Sequence, residues 1–218
     1  MVITKKALLV LLFTALVLFS SCSKSQDDSG VYDGKVYVTG ENPVLRLKIN
    51  EEDKDFVTSA SFWRVVYSPV GRGHILYIRS DITGDGETED DVKAIFTDNK
   101  ELVEYMNREI LTRYLEDPYP VYNAHFTYAG DPRTEWTEVV QSDDYTIVLV
   151  WKDFIEPFLV ATPIGGERPF GISSVGIPAT TAEVYINGTK VVGEAFPEML
   201  GKAQNSTARL WWAESWVK

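Results

Sequence analysis

Cysteine is almost absent from this chain. Its one cysteine, Cys22, excludes an intramolecular disulfide, so the fold must rest on packing. Histidine is nearly as scarce, with only His74 and His125. Neither HExxH nor CxxC occurs, so zinc lacks its usual ligand spacing. Positive charge is also short: 21 Lys and Arg stand against 32 Asp and Glu, a formal net charge of −11. Phosphate backbones and anionic membrane surfaces repel such a chain. That argues against nucleic acid as a partner and against a basic patch as an anchor. There is no GxSxG elbow and no GxxxxGK[ST] loop, so nucleophilic hydrolases and nucleotide enzymes lack their marks.

What is present begins at the start of the chain. Lys5 and Lys6 precede thirteen uncharged, mostly apolar residues, Ala7 to Phe19, and then Ser20, Ser21 and Cys22. A cationic region, a short apolar run and small residues before a cut mark a secretory signal. The run is too short for a membrane-spanning helix, which needs about 20 apolar residues. Leu18-Phe19-Ser20-Ser21-Cys22 resembles the lipobox of bacterial lipoproteins, with Phe19 where a Leu is usual. The resemblance implies a signal peptide over 1–21, cut before Cys22, and a membrane anchor through the lipid-modified Cys22. Removing Lys5 and Lys6 takes the formal charge from −11 to −13. One acyl chain binds membranes marginally, whereas two or three hold firmly.

Residues 22–30 then read as a polar, acidic tether. Its Asp27-Asp28 pair is similar to the acidic signals after the cysteine in surface-exposed lipoproteins of some Gram-negative bacteria. That similarity implies the cell envelope, at the outer membrane and facing outward.

Residues 31–218 read as a single β-rich domain. Val44 to Ile49 alternates, with Leu45, Leu47 and Ile49 on one face and Arg46 and Lys48 on the other. Phe62 to Tyr67, His74 to Arg79, Val92 to Thr97, Tyr122 to Tyr128 and Tyr145 to Trp151 are further strands. Glu183 to Ile186 and Lys190 to Val192 flank Asn187-Gly188-Thr189, a strong hairpin signal. Ala208 to Val217 closes the chain. Leu102, Val103, Met106, Ile110 and Tyr114 recur at helical spacing. Asp98 and Glu101 form a capping-box pattern ahead of them, and Asp117-Pro118 ends the helix. The fold class is therefore mainly β, an antiparallel β-barrel or β-sandwich with one substantial helix. Eight-stranded barrels can enclose one small ligand.

Four places could carry chemistry. Residues 81–91 hold six carboxylates around two glycines. Asp81, Asp85 and Glu89 fall at positions one, five and nine of a loop that resembles the front of an EF-hand, which implies calcium as a cofactor. Val92 stands where the twelfth-position Glu belongs, and the loop also reads as a solvated turn. His74 and His125 are candidates for acid–base work, and equally for structural roles. On β alternation, Trp212, Glu214 and Trp216 share one face of the last strand, an apolar wall with a polar anchor. A carboxyl there needs a partner, with Arg133, Arg168 and Arg209 available, or its pKa must rise. Pro163 to Gly171 has three glycines and two prolines and can lie over a pocket mouth.

Three functional readings follow. The first is a membrane-anchored envelope lipoprotein that binds a small, largely apolar ligand or an envelope component. Its architecture is similar to that of lipocalin-like lipoproteins, without their signature motif. The second is an acid–base enzyme acting on a lipid or carbohydrate, with His125, Asp131 or Glu214 as catalytic groups. The third is a surface interaction module stabilised by calcium.

Overall fold

The computed structural model describes residues 34–88, 91–163 and 170–218. The signal segment 1–21, Cys22, the tether 22–30, Glu89, Arg168 and most of the 163–171 loop lie outside the described residues.

The domain is mainly β, with one substantial helix. The chain runs through β1 (Val36–Glu41), β2 (Val44–Leu47), β3 (Thr58–Tyr67), β4 (Gly73–Ser80) and β5 (Val92–Thr97). Helix α1 (Lys100–Glu109) and the single turn α2 (Arg113–Glu116) follow. Next come β6 (Val121–Asn123), β7 (His125–Asp131), β8 (Glu135–Gln141) and β9 (Thr146–Phe154). Then come β10 (Phe158–Thr162), β11 (Gly171–Ile186), β12 (Thr189–Lys190), β13 (Pro197–Leu200), β14 (Ala203–Ser206) and β15 (Ala208–Val217).

One sheet takes thirteen of these strands, in the order β6-β5-β4-β3-β1-β15-β11-β9-β8-β7. Off this path, β2 pairs with β3 and β15, β10 and β12 pair with β11, and β13 pairs with β14 separately. Pairing is antiparallel except between β5 and β6, which run parallel. β15 thus lies between β1 and β11, its first and last turns of pairing set by Val36↔Val217 and Ala179↔Ala208.

The sheet curls back on itself. β3 and β8 are far apart in the strand order, yet Arg64 of β3 reaches Glu138 of β8. Phe62 of β3 packs edge-on against Phe126 of β7 at 5.8 Å. The two ends of the order, β6 and β7, are joined through Ala124 alone. Alternation explains what the curl encloses, because every second side chain of a strand points inward. Leu45, Leu47, Phe62, Leu76, Phe96 and Trp151 are fully buried in this inner core. Each contributes about 1.5–3 kcal/mol on burial.

The opposite, outer face of β1, β3, β4 and β5 is covered by α1. Val38, Trp63, Ile75 and Tyr77 meet Leu102, Val103 and Met106 there, forming a second core. The helix is capped by Asn99, whose Oδ1 accepts from the Leu102 amide at 3.2 Å. This corrects the expected Asp98 cap. Asp98 is taken instead by His74, whose backbone amide and ring Nδ1 lie 2.7 and 2.6 Å from its two oxygens. The helix also stops earlier than its periodicity predicts. Ile110 and Leu111 both donate to Met106 O, and the chain turns there, carrying Tyr114 back onto Tyr77 with ring centroids 4.3 Å apart.

Glycine matters where backbones come close. A Cβ on Gly40 would lie 2.0 Å from Arg64 O, so the β1–β3 bulge beside it tolerates no side chain.

Candidate functional site

The last strand does not alternate as its sequence implies. Ala213 has φ +50°, and the β11–β15 register slips between Ser173 and Val175. This bulge inserts one residue and turns every following side chain to the other face. Ala208, Leu210 and Trp212 therefore face the inner core, where Trp212 meets Trp136 edge-on at 5.2 Å. Glu214 and Trp216 face outward beside Trp211. The expected trio is thus corrected. Glu214 and Trp216 stay together, and Trp211 stands where Trp212 was expected.

These three side chains line a recess of about 290 Å³ on the outer face. Its apolar wall includes Trp63, Tyr77, Val160, Ile172 and Leu200. Leu111, Arg113 and Tyr114 come from the chain just after α1. Gly176 makes room for the Trp211 ring, since a Cβ there would lie 2.6 Å from it.

A hydrogen-bonded row joins the polar residues of the recess. Trp63 Nε1 donates to Ser61 Oγ at 3.1 Å, and Ser61 Oγ donates to Asn42 Oδ1 at 3.1 Å. Asn42 Nδ2 then donates to Glu214 Oε1 at 3.3 Å, which also accepts from Trp216 Nε1 at 2.7 Å. Of the expected arginine partners, the two that are described do not bond to Glu214. Arg133 holds Asp131, Arg209 holds Glu198, and Arg168 is outside the described residues. Glu214 is 5% exposed, and burial pushes its carboxyl above the usual range against the pull of Trp216 and Asn42.

The recess also gathers cations. Arg46, Arg113 and Arg209 all line it. Burial, and then the charges of Arg209 and Arg113, hold Arg46 below its ordinary value, with Glu198 opposing. The sequence named Arg209 only as a partner for Glu214 and did not group these three, because they come from β2, α2 and β15, whose proximity is purely tertiary. Arg46 was visible only as the polar side of an alternating strand.

A second polar cluster lies inside the curl. Arg64 Nη2 donates to Glu138 Oε1 at 2.6 Å, and Trp136 Nε1 donates to the same oxygen at 2.8 Å. Arg64 also pairs with Glu41 and lies 4.3 Å from the Tyr128 ring centroid. Glu138 is fully buried, and its Oε2 has no partner. Burial pushes its carboxyl up to about 7 despite Arg64. The face Trp136, Glu138, Val140 alternates in the sequence and could have revealed both the strand and its buried carboxyl.

The three expected catalytic groups do not converge. His125 is exposed at the start of β7. Asp131 ends that strand in a tight pair with Arg133 at 2.5 Å, which lowers its carboxyl to about 2. Glu214 belongs to the outer recess, four strands away. His74 stacks on Phe126 at 5.0 Å and holds Asp98. Burial would raise the Asp98 carboxyl, but the His74 hydrogen bonds outweigh it and leave it lowered.

In the acidic loop, Asp81 accepts from the amides of Gly84 and Gly86 at 2.6 and 3.0 Å, and Asp85 accepts from Glu87 at 2.8 Å. No group of three His, Cys, Asp or Glu side chains is clustered for a metal among the described residues.

No family model matches this chain, and no curated protein does. A solved structure from structural studies of acetoacetate decarboxylase is similar over 83% of this chain and 84% of that one, with a TM-score of 0.39 and 8% identity. A likeness this distant says nothing of the site.

Proposed function

We propose that this chain is an envelope lipoprotein, anchored through Cys22, whose β domain holds a small, largely apolar ligand in the outer-face recess. The observation that carries the reading is the recess itself. Trp63, Trp211 and Trp216 border about 290 Å³, with a few hydrogen-bonding groups set among them. A concave, mostly aromatic wall with few convergent polar groups suits a small ligand. The acid–base reading loses support because His125, Asp131 and Glu214 lie apart.

Octanol is a suitable first probe. Titrating it into the full chain should shift or quench tryptophan emission saturably, and Trp211→Ala should weaken that response. Saturable binding unchanged in Trp211→Ala would remove the recess from the proposal. For the anchor, wild type should partition with detergent and Cys22→Ser should stay in the aqueous phase. Equal partitioning of the two would remove the lipid.

A further inference from the structure

We infer that the recess takes an anion, a small molecule with a carboxylate or phosphate group on an apolar body, gripped by Arg46, Arg113 and Arg209. The inference rests on the recess being a ligand site and adds the ligand's charge.

Charge placement carries it. Carboxylates outnumber cations in this chain, 32 to 21, so an arginine finds a carboxylate easily. Yet among the described residues no carboxylate pairs with Arg46 or with Arg113. Arg46 lies 5.4 Å from the Phe56 ring centroid, and Arg113 lies against its neighbour Tyr114 at 5.0 Å. Arg209 is paired with Glu198, but its Nε is buried with no hydrogen-bond partner. Three guanidinium groups therefore share one recess, Arg46 and Arg113 without an ion pair among the described residues and Arg209 incompletely satisfied.

The positive strip extends further. A neighbouring recess of about 310 Å³ shares Arg46, Ser59, Arg113 and Tyr114 and adds Arg79. Its one carboxylate, Asp117, is already held by Lys93 at 2.8 Å. Clustered guanidinium groups repel one another, and an oxyanion between them relieves the repulsion. Their planar forks fit carboxylate and phosphate oxygens bidentately. Glu214 also lines the recess, but its Oε1 is already engaged by Asn42 Nδ2 and Trp216 Nε1, and burial shifts its carboxyl toward the neutral form. The volume limits the ligand to a small molecule, and the tryptophans require an apolar body.

The test uses four probes with the same chain: octanoate, octyl phosphate, octanol and octyltrimethylammonium, each titrated into the full-length protein by tryptophan emission. The anions should bind at least tenfold tighter than octanol, and the cation weakest. Arg46→Gln with Arg113→Gln should erase the anion advantage, weakening octanoate and octyl phosphate at least tenfold more than octanol. The stronger of octanoate and octyl phosphate then names the headgroup. Octanol binding as tightly as both anions, or an anion advantage that survives the double substitution, overturns the inference while leaving the recess intact. No saturable binding by any probe overturns the recess and the inference together.

Discussion

Arg64 and Glu138 meet inside the curled sheet, Nη2 to Oε1 at 2.6 Å, although 74 positions separate them. Burying a guanidinium and a carboxyl costs several kcal/mol each. The pair persists because Trp136 and Glu41 share the polar load and Tyr128 covers the guanidinium.

The first prediction follows from breaking that pair. Arg64→Met should destabilise the domain by about 3–5 kcal/mol at pH 8, because it leaves a buried carboxylate without its cation. At pH 5 the loss should shrink, since Glu138 is then protonated. Urea unfolding at both pH values checks this. An equal loss at each would mean that packing, not charge, holds Arg64 in place.

The second concerns pH alone. Glu138 rises in the folded state from its ordinary 4.5 to about 7. The folded form then holds this proton more tightly than the unfolded form. Its stabilising contribution is full below the unfolded value and is lost as pH rises through 7. Stability should fall by about 3 kcal/mol across that window. Glu138→Gln should flatten the fall, and Glu214→Gln should remove a further part, because its shift has the same direction. An unchanged slope in both variants would contradict these assignments.

Third, the two neighbouring tryptophans should behave differently. Trp212→Ala opens space in the inner core and should cost about 3 kcal/mol of stability. Trp211→Ala should cost less and weaken octanoate binding about tenfold, as expected for an aromatic anchor. Thermal midpoints and emission titrations on both variants separate the roles.

Fourth, Gly176→Ala should disturb the recess without touching its chemistry. The added methyl would lie 2.6 Å from the Trp211 ring, so the ring must move. Octanoate affinity should drop while the far-ultraviolet circular dichroism stays the same. Wild-type affinity in this variant would mean that Trp211 does not position the ligand.

Much of the framework was legible from alternation. Val92–Thr97 and Ala208–Val217 are strands over the residues their patterns mark, and Asn187 and Gly188 take the left-handed turn at φ 52° and 82°. What escaped has local causes. Glu138 sits on the inward face of β8, so its charge interrupts an apolar alternation that Trp136 and Val140 otherwise carry. Tyr122 to Tyr128 reads as one strand but splits at Ala124, which bonds back to Thr97. The Ala213 bulge carries neither glycine nor proline to mark it, so the shift from Trp212 to Trp211 was invisible. The arginines of the recess come from separated stretches, and no local period links them.

The place of β15 has a consequence for assembly. It joins β1 to β11 in the middle of the sheet, yet it follows every other strand in the chain. During synthesis, β1 and β11 must wait with open hydrogen-bonding edges until residues 208–217 emerge. Closure of the sheet is therefore a late event, after translation has passed the other strands. A nascent or truncated chain lacking this segment would display unpaired edges of the kind that recruit other chains. Loss of residues 208–217 should thus produce aggregation, not a slightly smaller domain.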